Sequence, residues 1–150
     1  MTMTTLLSPR FGAIPFTEED VVSMPDGLLG FPDFTRYLIL QHRDGSPFRW
    51  LQCLDEPTLA FLIVDPSHYV SEYAPTLSDE AQASLELDAE SPVLVYTIVT
   101  IPRGMPEKMT INLAGPIVIN GANRKASQLV IDDPQYSVRH SVFDSARVAA

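Results

Sequence analysis

Leu59-Ala60-Phe61-Leu62-Ile63-Val64 is a run of six apolar residues with no helical period, closed by Asp65-Pro66. Its β-branched and aromatic content suits a strand, and side chains that are apolar at both odd and even positions mark one covered on both faces. Val93 to Ile101 reads the same way. Outward from these two, Tyr37-Leu38-Ile39-Leu40, Phe48 to Cys53 and Ile117-Val118-Ile119 are further strand-like runs between turn residues. The 13 prolines are never more than 18 residues from the next, as at Pro116 and Pro134, so long helices have little room. One exception is predicted: a capping hydroxyl in Thr76-Leu77-Ser78-Asp79, followed by Leu77, Ala81 and Leu85 at four-residue spacing, predicts a short helix over about 77–88. Asn120-Gly121 reads as the turn of a hairpin joining Ile117-Val118-Ile119 to Gln128-Leu129-Val130-Ile131.

The expected fold is therefore mainly β, a compact single-domain antiparallel arrangement that is barrel-like, with one short helix near 77–88. At 150 residues the chain is one domain long and shows no repeat or linker. Its core is expected over about 10–143, with Trp50, Phe61, Tyr96 and Ile117 inside it. The ends, 1–7 and 144–150, read as poorly anchored. No apolar run of bilayer-spanning length occurs, and the amino terminus lacks the pattern of a secretory signal, so a cytoplasmic protein without membrane contact is expected. A single cysteine, Cys53, makes no intramolecular disulfide.

Charge narrows the function classes. The net charge is −9, and between Arg49 and Arg103 there is no Lys or Arg, while nine carboxylates fall in that interval. Direct nucleic-acid binding needs clustered cations and is not expected. An acidic face fits a basic protein partner, although the same carboxylates also serve solubility. The residues of catalysis are sparse. His42, His68 and His140 follow no ligand spacing, and Cys53 in Trp50-Leu51-Gln52-Cys53-Leu54 reads as a small buried side chain. Gly45-Ser46-Pro47 is a turn rather than a nucleophile elbow. Gly12, Gly27, Gly30, Gly104, Gly115 and Gly121 stand singly, with no phosphate-binding loop. Asp55-Glu56 and Asp132-Asp133 precede Pro57 and Pro134 and mark turns. No catalytic residue, metal or cofactor is expected. Two rivals remain open: a small hydrolase or isomerase, which requires a histidine buried near a carboxylate, and a ligand-binding barrel, which requires an interior cavity of several hundred cubic ångströms.

Two surface segments stand out as partner-binding candidates. One is the acidic set Asp55, Glu56, Asp65, Glu72, Asp79 and Glu80, suited to steering a basic protein. The other is the turn Ile101-Pro102-Arg103-Gly104-Met105-Pro106, where Ile101, Pro102, Met105 and Pro106 form a stiffened apolar anchor.

An ordered series of blocks resembles one family. Arg10-Phe11-Gly12-Ala13-Ile14 and Met24-Pro25-Asp26-Gly27-Leu28-Leu29-Gly30-Phe31 resemble the opening of the FliW proteins. Ser46 to Gln52, Leu59-Ala60-Phe61 with Val64-Asp65-Pro66, Val99 to Pro102, Met109 to Leu113, Pro116 to Asn120 and Tyr136 to His140 follow in the same order, covering about residues 10–143. Met24, Leu29 and Pro32 depart from the family pattern, standing where Phe, Pro and often an acid are usual. The resemblance implies a non-enzymatic flagellar assembly factor of the bacterial cytoplasm. Such a protein binds CsrA, an RNA-binding translational repressor, and relieves its hold on flagellin messenger RNA; it also binds flagellin, so that the two partners exchange in a feedback loop. A dedicated flagellin chaperone without CsrA regulation is the narrower alternative. The acidic surface read above suits a basic RNA-binding partner.

Overall fold

The computed structural model describes residues 2–142. Eleven strands run in chain order: β1 (Thr4–Ser8), β2 (Gly12–Phe16), β3 (Val22–Ser23), β4 (Arg36–Gln41), β5 (Phe48–Cys53), β6 (Ala60–Val64), β7 (Val93–Thr100), β8 (Thr110–Ile111), β9 (Ile117–Asn120), β10 (Ala126–Gln128) and β11 (His140–Ser141). A single short α-helix, α1 (Asp79–Ser84), lies between β6 and β7. Hydrogen bonding orders the main sheet β3-β4-β5-β6-β7-β9-β10, every neighbouring pair antiparallel. β8 attaches to the end of β7 and carries β11, while β1 and β2 form a separate hairpin.

Mainly β, antiparallel and with one short helix, this architecture matches the expectation; the barrel does not close. The outermost strands β3 and β10 approach at one parallel bridge, Ser23 to Lys125, where the Ser23 N–H donates to the Arg124 carbonyl at 2.9 Å. With only two residues, β3 is too short to extend that bridge into a ladder.

Period-two alternation explains how the sheet is covered. Tyr37, Leu51, Cys53 and Ile63 project from one face, where Val22, Met24, Leu28, Ile117 and Ile119 complete a fully buried cluster. On the opposite face two clusters sit side by side. Phe16, Val21 and Leu38 bind the β1–β2 hairpin down, with Leu6, Ile14 and Leu40 against them. Val64, Val99, Ile111 and Leu113 pack with Tyr69, Val70, Tyr73 and Tyr136. β6 is thus covered on both sides at Ile63 and Val64, while in β7 Thr97 and Val99 are buried on one face and Ile98 packs against the first cluster on the other. Val93 and Leu94, at the start of β7, and Ile101 just past its end lie outside these layers and are exposed. Ile117 is buried, Phe61 and Tyr96 pack against the first cluster, and Trp50 is half-buried beneath Phe11.

Three expectations are corrected. Of residues 1–7, expected to be poorly anchored, Thr4 to Leu7 are paired: Thr4–Ser8 pairs along its whole length with Gly12–Phe16. Gly12, at φ +75°, closes the three-residue connection, and the Ser8 hydroxyl donates to Oε1 of the fully buried Gln52 at 3.3 Å. The helix expected over about 77–88 contracts to Asp79–Ser84, because Ser78 is the cap, its Oγ accepting the Ala81 N–H at 3.0 Å, and Glu86 turns to φ 56°, which no helix continues through. Asn120-Gly121 is not itself the hairpin turn. β9 does pair with β10, but across residues 121–125, with the positive φ at Arg124, and the return strand is Ala126–Gln128. Asn120 is instead buried, its amide donating to the Leu85 carbonyl at 2.9 Å and its Oδ1 accepting the Ala122 N–H. The expectation for 144–150 lies outside the described residues.

Candidate protein-interaction surface

The six candidate carboxylates fall into three environments. Asp55 and Glu56 occupy the turn between β5 and β6. Oδ2 of Asp55 accepts the backbone N–H groups of Thr35 at 2.7 Å and Arg36 at 3.1 Å, tying that turn to the start of β4. Glu56 accepts from the Thr58 hydroxyl at 2.8 Å. Asp65 stands at the opposite end of β6, a five-residue strand that separates the two groups by about 17 Å. It accepts the Ser67 N–H and caps a single 3-10 turn, Pro66–His68. Asp65 also borders an open cleft of 460 Å³ with Gln41, Arg49, His68 and Tyr96.

Glu72, Asp79 and Glu80 are different. All three are exposed on the long connection from β6 to β7, which has no Lys or Arg of its own. Asp79 and Glu80 sit in the first turn of α1, where the helix N-terminus favours negative charge. Glu72 holds φ 58°, a left-handed conformation that costs a non-glycine residue energy. The connection is nonetheless fixed. Tyr69, Val70 and Tyr73 pack into the second face, the Tyr73 hydroxyl donates to the Leu113 carbonyl at 2.5 Å, and Leu85 is buried under the Asn120 amide. Farther along, Glu86 is neutralised by Lys125 at 2.5 Å, and Asp88 caps Glu90 and Ser91. What remains is a set of carboxylates, Glu72, Asp79 and Glu80, with no ion-pair partner among the described residues, held on an anchored backbone that can attract a basic surface without an ordering penalty.

The apolar turn follows β7. Ile101 is 47% and Met105 39% exposed, with Pro102 half-buried and Pro106 exposed. Gly104 takes φ 73°, and the N–H of Met105 donates to the Pro102 carbonyl at 3.0 Å, so two consecutive tight turns present Ile101 and Met105 at the surface. Buried Met109 anchors the far end. Arg103 and Lys108 flank these side chains, giving the turn a sign opposite to that of the acidic connection.

Chemical groups elsewhere have structural environments. His42 faces Ser46, Phe48 and Trp50, its Nδ1 lying 3.2 Å from the Ser46 hydroxyl. His68 is exposed and His140 lies in β11. Cys53 is buried, which pushes its thiol pKa up. The Tyr37 hydroxyl, fully buried and without a hydrogen-bond partner, is pushed up by the same desolvation and then by the neighbouring Cys53. Between the layers, where a ligand-binding barrel would be hollow, the volume is filled by Tyr37, Leu51, Ile63 and Ile117. A second open cleft, of 440 Å³, is lined by Pro75, Thr76, Val130, Asp132, Asp133 and Tyr136. In it Asp133 bonds the Gln135 backbone and amide, which hold its carboxyl below the usual range. Among the described residues no helix is long and apolar enough to cross a membrane, and no group of three or more His, Cys, Asp or Glu could hold a metal ion.

One surface feature escaped the sequence reading. The Arg10 guanidinium lies 4.8 Å above the Trp50 ring, and Phe11 meets the same ring edge-on, so the hairpin tip covers the middle of the sheet. Gly12 together with the alternation of Leu6, Ser8, Ile14 and Phe16 was the available signal.

These features define an acidic, antiparallel β protein that displays an anchored carboxylate-bearing connection and an apolar turn. Residues 5–142 match the family model described as FliW protein, and the chain belongs to that family. It is 36% identical over 141 residues to a flagellar assembly factor FliW from Leptospira biflexa, covering 94% of this chain and 92% of the other. To the protein of that description from Magnetococcus marinus it is 40% identical over 139 residues, covering 92% and 85%. A crystal structure of the flagellar assembly factor FliW superimposes with a TM-score of 0.85 at 30% identity, covering 93% of this chain and 97% of that one.

Proposed function

We propose that this chain is a cytoplasmic, non-enzymatic flagellar assembly factor that binds CsrA and flagellin in exchange, releasing flagellin messenger RNA from repression when CsrA is held. The observation that carries the reading is family membership along nearly the whole chain, combined with the carboxylates Glu72, Asp79 and Glu80 on an anchored connection. CsrA must present cationic side chains to bind RNA, so a carboxylate surface attracts it and disfavours RNA beside it. Asp55, Glu56 and Asp65, although part of local turns, add to the long-range acidic field. The turn bearing Ile101, Pro102, Met105 and Pro106 supplies apolar contact after encounter. Flagellin then acts as a switch only if its site excludes CsrA, since a ligand indifferent to the two states shifts neither. No nucleic acid, membrane or cofactor enters this scheme.

Calorimetric titration with CsrA and with flagellin of the same organism, singly and in competition, tests it. Binding to both with mutual exclusion is expected. Binding to flagellin alone reduces the protein to a dedicated chaperone, and binding to neither removes the proposal.

A further inference from the structure

The hairpin β1–β2 has one open edge, and its register shows which. Thr4 pairs with Phe16, Thr5 with Pro15, Leu6 with Ile14, Leu7 with Ala13 and Ser8 with Gly12. Pro15 has no N–H, so Thr5 and Pro15 cannot exchange hydrogen bonds, and the bonded pairs are those of Thr4, Leu6 and Ser8. Thr5 and Leu7 consequently direct their N–H and C=O groups away from β2, and neither finds a partner among the described residues. On the other side of the hairpin the outward positions are Ala13 and Pro15, and because Pro15 has no N–H that edge offers a single outward donor within β2. The hairpin is anchored to the sheet beneath it by Leu6, Ile14 and Phe16 and by Ser8 on Gln52.

Natural strand edges are usually guarded by charge or proline. β1 has neither: residues 2–8 carry no charge, with Leu7 73% and Met3 62% exposed. In a chain of net charge −9, residues 2–16 contain no carboxylate, and their one charge is Arg10. Two copies meeting here bring no opposing carboxylates from either hairpin into contact.

We propose that the free edge of β1 is a self-association surface, on which β1 of a second copy pairs antiparallel about a two-fold axis to join two hairpins into one four-stranded sheet. A two-fold through Leu6 sets Thr5 opposite Leu7 of the second copy, and each such pair exchanges two hydrogen bonds. The contact is isologous, so the two-fold closes it as a dimer, and the Pro15 gap in the donors of the other edge disfavours further pairing there. Five residues a side bury little area, so association is weak and concentration-dependent. This inference is independent of the partner-exchange reading.

Sedimentation equilibrium of the full chain over a wide concentration series tests it, with Leu7→Lys placing a charge on the edge and Thr5→Pro removing an outward donor. The wild type is expected to shift from 16.6 kDa toward twice that mass. Both variants are expected to stay at the mass of one chain, with thermal melting unchanged because Leu7 is exposed and the Thr5 N–H is unbonded. Should Thr5→Pro fail to fold, Leu7→Lys decides. A wild type that remains a single chain throughout overturns the proposal, as does a dimer that both variants leave intact. A monomeric wild type whose capture of CsrA or flagellin is weakened by Leu7→Lys also overturns it, assigning the edge to a partner's strand.

Discussion

Two long connections leave the sheet and use their residues in opposite ways. Residues 24–35, between β3 and β4, turn inward: Met24 and Leu28 are buried, and Phe31 and Phe34 stack at 6.3 Å over the same core. Residues 65–92, between β6 and β7, place Tyr69, Val70, Tyr73 and Leu85 against the protein and leave Glu72, Asp79 and Glu80 in solvent. The first connection is part of the core. The second is a platform, fixed at a few points so that its charges have defined positions. Packing and exposed charge are thus separable along this chain, and substitution can separate them.

The largest effect is expected at Gly27. Its φ is +65°, and an added Cβ would lie 2.3 Å from the Phe31 carbonyl oxygen and 2.7 Å from Pro32 Cα. Gly27→Ala should cost more than about 3 kcal/mol, read as a fall in the urea midpoint. A wild-type midpoint would show that the first connection is not a rigid cover. Leu85→Ala should cost about 2–4 kcal/mol and expose the second connection to faster amide exchange. If exchange quickens over the whole molecule equally, the platform is not a separable unit. Asn120→Ala removes the bond to the Leu85 carbonyl and should cost about 1–2 kcal/mol, with exchange rising first around residues 79–86.

Alkaline pH should weaken the core. Burial raises the folded pKa of Cys53 and Tyr37 above their unfolded values. Their contribution is therefore complete below the ordinary thiol value of about 8.5 and is lost as pH rises toward the folded values. Urea midpoints should decline above that point, and a Cys53→Ala background should begin its decline later. An unchanged onset would mean the thiol plays no part.

How much of this was legible in the sequence depended on the range of the forces involved. Strand β5 was readable to the residue, from Phe48 to Cys53, because an aromatic-rich run with a turn at each end is a local signal. The helix was visible through its capping hydroxyl and four-residue spacing, but its end was not, since Glu86 is held at positive φ by tertiary contacts with Asn123 and Lys125. The N-terminal hairpin was missed because Pro9 and Pro15 look like breakers, whereas Pro15 is tolerated at a position that needs no inward donor. At the candidate surface the acidic character was plain, but its partition was not. Nothing near Asp55 announces that it accepts from Thr35 and Arg36, twenty and nineteen residues upstream. Nor could the sequence show that Leu29, standing where the resembled family usually has proline, donates its N–H to Gln128 Oε1 at 2.8 Å, a bond proline cannot make.

The smallest expected change in stability belongs to the surface on which function is proposed to rest. Triple charge reversal, Glu72→Lys with Asp79→Lys and Glu80→Lys, should alter stability by no more than about 1 kcal/mol per site, because none of the three side chains is buried and the main loss is favourable charge at the N-terminus of α1. Its effect should lie in association with CsrA, measured by stopped-flow mixing over a series of salt concentrations. A slower on-rate at low salt and a flatter salt dependence than the wild type are expected. An on-rate and salt dependence identical to those of the wild type would show that these carboxylates do not guide the partner.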